Sequence, residues 1–116
     1  MTKHGFDLED RTLKFAKDVI GLCKRAPQTT INRELISQLV RAGSSVGANY
    51  REANDALSKK DFSHRIKITR REAKETHFWL ELLRESSPEL NGEAQRLLQE
   101  ALELKKIFSA IAEKTS

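Results

Sequence analysis

Apolar residues recur along this chain every three to four positions, in four runs separated by short polar breaks. That spacing puts them on one face of an α-helix. In the first run Leu8, Phe15, Val19 and Leu22 share a stripe, and Leu13, Ala16, Ile20 and Cys23 form an adjoining one. The pattern predicts a helix from about Asp7 to Lys24, stopped by Pro27. Thr29 or Thr30 is placed to cap a second helix running from Ile31 to about Ala56. Ser58, with Asp61 three residues on, opens a third that ends near Glu85, before SSPEL. Asn91 is expected to cap a fourth, in which Ala94, Leu97, Ala101, Leu104, Phe108 and Ile111 repeat at helical spacing. No segment alternates as a strand. Connections this short favour antiparallel neighbours, so the expected fold is all-α, an antiparallel up-down-up-down four-helix bundle, as one domain over residues 1–116.

The stretch RAGSSVGANYREAND, Arg41 to Asp55, interrupts this picture with small and polar residues inside a helix. On a wheel, Leu35, Leu39, Ala42, Val46, Tyr50 and Ala53 lie in one arc, which Gly43 and Gly47 extend. The small residues therefore line a shallow groove on the buried side. Each glycine in a helix interior costs about 1 kcal/mol relative to alanine, and close approach of another helix is the usual compensation. A phosphate-cradling loop is excluded, because GSSVG lacks the GxxxxGK[ST] spacing and no strand precedes it.

The third helix carries polar residues on its inner side. Phe62, Ile66, Thr69, Ala73, Leu80 and Leu83 define the inward stripe, and Arg65 and Glu72 fall within it, with Glu75 and Thr76 close by. Charges there need partners, since an unpaired buried charge costs several kcal/mol. If the second and third helices form a hairpin, Arg65 faces Glu52 and Asn49, while Glu72 faces Ser45 and Arg41. The expectation is an interhelix polar network of Arg41, Ser45, Asn49, Glu52, Arg65 and Glu72, with an Arg65–Glu52 pair.

Charge changes the picture on the opposite face. The chain is mildly basic, with a net charge of +4, but Lys59 to Lys74 hold seven Lys/Arg against two Asp/Glu. Lys60, Lys67, Arg70, Arg71 and Lys74 form a stripe that is either a solvated face or a track for a phosphate backbone. It has no interleaved aromatic platform for base stacking. Phe78 projects outward near it and, with Trp79, is a candidate oligomer contact.

Enzymatic constellations are weak. Cys23 is the only cysteine and sits among Val19, Ile20 and Leu22 as a core residue, without a cationic partner nearby. A di-metal bundle site needs Glu-x-x-His motifs, and none occurs; His4, His64 and His77 are scattered, so no metal, cofactor or catalytic residue is assigned. Glu72 and Glu75 with Arg65 are the distant enzymatic alternative. No signal-peptide core or membrane-length apolar run appears, so a cytoplasmic protein is expected.

Four stretches carry a family resemblance. ELISQLVRAGSSVGANYREAND is similar to a second helix of the form "QL-RA-SS-AN--EA", through Gln38, Leu39, Arg41, Ala42, Ser44, Ser45, Asn49, Glu52 and Ala53. SKKDFSHRIKITRREAKETHFWLELL resembles the matching third helix through Asp61, Phe62, Ile68, Glu72, Ala73, Glu75, Trp79 and Leu80. The opening FDLEDRTLKFAKDVIGLCKRAP also fits, and the last helix matches by spacing alone. Tyr50, Arg51 and Arg71 depart from the pattern. These residues resemble the bacterial four-helix-bundle proteins named for open reading frames in 23S ribosomal RNA intervening sequences. The resemblance implies a left-handed bundle assembled as a ring-shaped homopentamer, without established enzymatic activity. A related protein, the accessory subunit of diversity-generating retroelements, binds reverse transcriptase and RNA. The function expected is thus a non-enzymatic oligomeric scaffold or interaction protein. The alternative is a nucleic-acid-binding accessory protein that meets RNA, or a nucleic-acid-processing protein, through the basic face.

Overall fold

The computed structural model describes residues 3–115, and side chains from Leu8 onward. It consists of four long helices: α1 (Lys3–Arg25), α2 (Thr30–Asn54), α3 (Lys59–Ser86) and α4 (Asn91–Thr115), with a 3-10 turn at Pro88–Leu90. They pack as a bundle, all-α as expected. Helix α1 begins before Asp7 and stops two residues short of Pro27, where the amide of Ala26 donates to Cys23 O.

Two caps follow from side-chain chemistry. Thr29 Oγ1 accepts the Asn32 amide at 3.0 Å and opens α2, and Ser58 Oγ accepts the Asp61 amide at 3.0 Å and opens α3. Asn91 is not a cap. Its backbone is already helical, because Pro88 starts a 3-10 turn whose last amide, Leu90, donates to Ser87 O and leads directly into α4. Proline presets the backbone angle of a first turn, so no side-chain cap is needed there.

The contacts between α2 and α3 run in descending register. Early α2 meets late α3 through Asn32 with Ser86 and Ser87, and Arg41 meets Glu72 and Glu75 further along. The core lies between all four helices, with Phe15, Leu22, Leu39, Ile66, Leu80, Leu97, Leu104 and Phe108 among its fully buried side chains. The Tyr50 and Phe108 rings pack 5.4 Å apart.

The glycines of α2 set its distance from α1. A Cβ at Gly43 would lie 3.3 Å from Val19 Cγ1, and one at Gly47 would lie 3.1 Å from Thr12 Oγ1. The groove read from the sequence is therefore filled by α1. On its other side α1 is tied to α4 by charge. Arg11 donates to both carboxylate oxygens of Glu100 at 2.7 Å and to Glu103 at 3.3 Å, Arg96 reaches Asp18 at 3.4 Å, and Arg25 pairs with Glu93. The bidentate contact to Glu100 is the first cause holding the Arg11 guanidinium above its ordinary pKa.

At the end of the bundle Asn32 is fully buried and fully satisfied. Its Nδ2 donates to Pro27 O at 2.8 Å and Ser87 Oγ at 2.9 Å, and its Oδ1 accepts from Ser86 Oγ at 2.7 Å. One side chain thus fastens the α1–α2 loop to the end of α3.

Candidate nucleic-acid interface and the polar seam

The seam between α2 and α3 contains one buried carboxylate. Glu72 is 6 % exposed, and Arg41 Nη1 reaches its Oε1 at 3.4 Å while Arg41 Nη2 donates to Glu75 Oε1 at 2.9 Å. Arg71 approaches the other oxygen of Glu72 at 3.6 Å. The hydrogen bond to Glu75, then the charge of Glu72, hold Arg41 above its usual pKa. Two carboxylates, Glu72 and Glu75, are therefore bound to guanidinium groups.

The other expected members of the network do not join it. Asn49 donates within its own helix, to Ser45 O at 2.9 Å. Glu52 is exposed and Arg65 half-buried, and among the described residues no ion pair joins them. Both keep access to water, where an ion pair contributes only about 0–1 kcal/mol, so nothing compels the contact.

Most of the basic residues of α3, though not Arg65 or Arg84, lie along its junction with α4. One shallow groove there is lined by Lys59, Lys60, Ser63, His64, Lys67 and Thr115, and a second by Lys67, Arg70, Arg71, Lys74, Lys105 and Ser109. They share Lys67, and neither is lined by an Asp or Glu. All five residues of the predicted stripe, Lys60, Lys67, Arg70, Arg71 and Lys74, fall on this strip. Lys105 of α4 extends it, which the sequence could reveal only once α4 was known to lie beside α3.

Beyond Lys74 the strip ends in a depression of about 580 Å³ lined by Arg71, Lys74, Glu75, Phe78 and Trp79. Phe78 is 56 % exposed, and its ring stands edge-on to Trp79 at 5.0 Å between centroids. Trp79 packs partly buried against the core. An aromatic ring thus stands at one end of the strip, although none is interleaved within it.

Elsewhere, burial pushes the Cys23 thiol up to about 11, which keeps it protonated and unreactive near neutral pH. Among the described residues no His, Cys, Asp and Glu group is arranged to hold a metal ion, and no helix is long and apolar enough to cross a membrane. The second stripe of α1 is only half used. Cys23 is buried, whereas Leu13 and Ile20, seven residues apart on one face, are each 41 % exposed.

Residues 6–110 match the sequence profile of the family described as 23S rRNA-intervening sequence protein. Among solved structures the chain is similar to a crystal structure described as a protein with unknown function from the S23 ribosomal protein family of Bacteroides thetaiotaomicron VPI-5482. The identity is 31 % and the TM-score 0.77, covering 90 % of this chain and 96 % of that one. No curated protein matches the chain.

Proposed function

The chain belongs to the 23S rRNA-intervening sequence protein family, and from that premise we propose that it is a non-enzymatic interaction protein that works as an oligomer. The observation that carries this is the uncovered apolar face of α1, with Leu13 and Ile20 half in water at heptad spacing. Two large aliphatics one heptad apart stand on one stripe, which a helix of a second copy would cover. The ring of five copies implied by the family resemblance is the assembly we propose. The non-enzymatic half rests on the state of the reactive groups: Glu72 and Glu75 are held by arginines, and the Cys23 thiol is buried and protonated.

Sedimentation equilibrium tests the proposal. The expected result is an assembly larger than a dimer, which Leu13→Lys with Ile20→Lys reduces to monomer without loss of helicity. A wild-type monomer at working concentration overturns it.

A second reading is favoured by the acid-free strip at the α3–α4 junction. Among the described residues only Arg71 of these cations has a carboxylate within ion-pair reach, Glu72 at 3.6 Å; the others repel one another, and a polyanion relieves that repulsion. We propose that this face binds nucleic acid, and copies around an oligomer would add avidity to a modest single-site affinity. Binding of generic RNA that weakens when Lys67, Arg70 and Arg71 become Ala supports it. RNA affinity indifferent to those changes removes it.

A further inference from the structure

The strip and the aromatic at its end make different demands on a ligand. Along α3, Lys60 to Lys74 spans about 21 Å at helical rise, and every side chain singled out there is a cation suited to phosphate oxygens. At the far end the chemistry changes. Phe78 lies four residues after Lys74 and seven after Arg71, so all three share one face of the helix. The ring is more than half exposed, and it is braced edge-on by Trp79, which is itself packed on the core. It is a fixed apolar plate beside two cations. The one acid lining the depression, Glu75, already accepts a hydrogen bond from Arg41 at 2.9 Å, which offsets its charge toward an incoming anion.

From this juxtaposition we infer that the protein binds a single-stranded segment of nucleic acid, with backbone phosphates along Lys67, Arg70, Arg71, Lys74 and Lys105 and one unpaired base stacked on Phe78. The inference rests on the nucleic-acid reading above and goes beyond it by selecting the ligand's state. In a duplex the base faces are already stacked on one another, and only an unpaired base can present its face to a ring outside the helix. Phosphate and base face are common to RNA and DNA, so both strands bind. A two-fold contact between copies of this chain is a poorer occupant, since it would set Arg71 and Lys74 against their own counterparts. A head-to-tail contact in a ring would not, and the sedimentation outcome below distinguishes it.

Trp79 supplies the readout, because it is the chain's only tryptophan and touches Phe78. Wild-type protein and the Phe78→Ala and Phe78→Leu variants are titrated with a polyuridine strand of about 12 nucleotides. A duplex of equal length and heparin, a polyanion without bases, are run in parallel. The expected result is a change in Trp79 emission with the single strand alone, and single-strand binding weakened roughly 10-fold or more by Phe78→Ala. Heparin affinity and the salt dependence should be unchanged in that variant, because its cations remain.

If Phe78→Ala binds the strand as tightly as wild type, the stacking inference falls while binding by the strip stands. If neither strand, duplex nor heparin binds wild-type protein, the inference falls together with the reading beneath it. A change in sedimentation of Phe78→Ala, with strand affinity intact, assigns the ring to a subunit contact and also overturns the inference.

Discussion

Replacing Gly47 with alanine should destabilise the protein even though alanine is the better helix former. In an exposed helix interior the exchange would contribute about 1 kcal/mol of stability. Here the new methyl would sit 3.1 Å from Thr12 Oγ1, 3.4 Å from Thr12 Cβ and 3.6 Å from the Thr12 backbone. Thr12 cannot turn away cheaply. It is fully buried, and its hydroxyl donates to Leu8 O at 2.8 Å, so rotation would strand a buried hydroxyl. Helix α1 must move instead, and overpacking of this kind costs about 1–3 kcal/mol. The balance is a loss of about 1 kcal/mol, read as a fall in Tm of about 4 °C. Gly43→Ala meets the Val19 side chain, its methyls at 3.3 and 3.4 Å and its Cβ at 3.5 Å, and should come out near neutral. Gly21→Ala meets only the end of the Arg25 side chain, at 3.8 Å, and should stabilise by about 1 kcal/mol. Urea unfolding of the three variants and of Thr12→Ala with Gly47→Ala is the assay. In the double variant the two changes should couple favourably by about 1 kcal/mol, because the crowding atom is gone. A Gly47→Ala protein as stabilised as Gly21→Ala, or strict additivity with Thr12→Ala, refutes the close-approach account.

Other perturbations follow from the same structure. Asn32→Ala strips two donors and an acceptor from a buried junction and should cost about 2–3 kcal/mol in urea unfolding; an effect under about 0.5 kcal/mol would contradict the fastening role. Arg41→Met leaves buried Glu72 with only Arg71, at 3.6 Å, and should destabilise by about 1–2 kcal/mol in urea unfolding at pH 7. The Cys23 thiol is raised from 9.0 to about 11, so the folded state holds its proton more tightly than the unfolded chain. Its contribution is intact below pH 9 and is lost between about pH 9 and 11, amounting to on the order of 2 kcal/mol. Burial also raises Tyr50, so the alkaline loss in wild type should be partly retained in Cys23→Ala and reduced further by adding Tyr50→Phe. A pH profile identical in wild type and Cys23→Ala would reject that linkage.

Much of this structure was legible in the residues because local chemistry dictated it. Pro27 stops α1, and the Thr29 and Ser58 hydroxyls each find an amide three residues on. The small residues of α2 also announced a close neighbour. Periodicity alone could not say which helix that was, and it turned out to be α1, not the polar side of α3. Asn91 misled because capping preference competes with proline, and Pro88 initiates the turn first. The Arg65–Glu52 pair failed because facing positions say nothing about whether an exposed and a half-buried charge, both in reach of water, gain by pairing. Leu13 and Ile20 stood on an adjoining stripe of the first helix, but a stripe records apolarity and not what covers it. The basic stripe was visible on α3. Its extension by Lys105, and the position of Phe78 at its end, depend on tertiary neighbours.

The most direct test of the proposed interface is the affinity for a single-stranded oligonucleotide as a function of salt. Five phosphate contacts, from Lys67, Arg70, Arg71, Lys74 and Lys105, predict a slope of log affinity against log salt of about −3.5. Exchange of Lys67, Arg70 and Arg71 for alanine should flatten it to about −1.4. A wild-type slope that the triple variant leaves unchanged would place any binding elsewhere on the molecule and contradict the account.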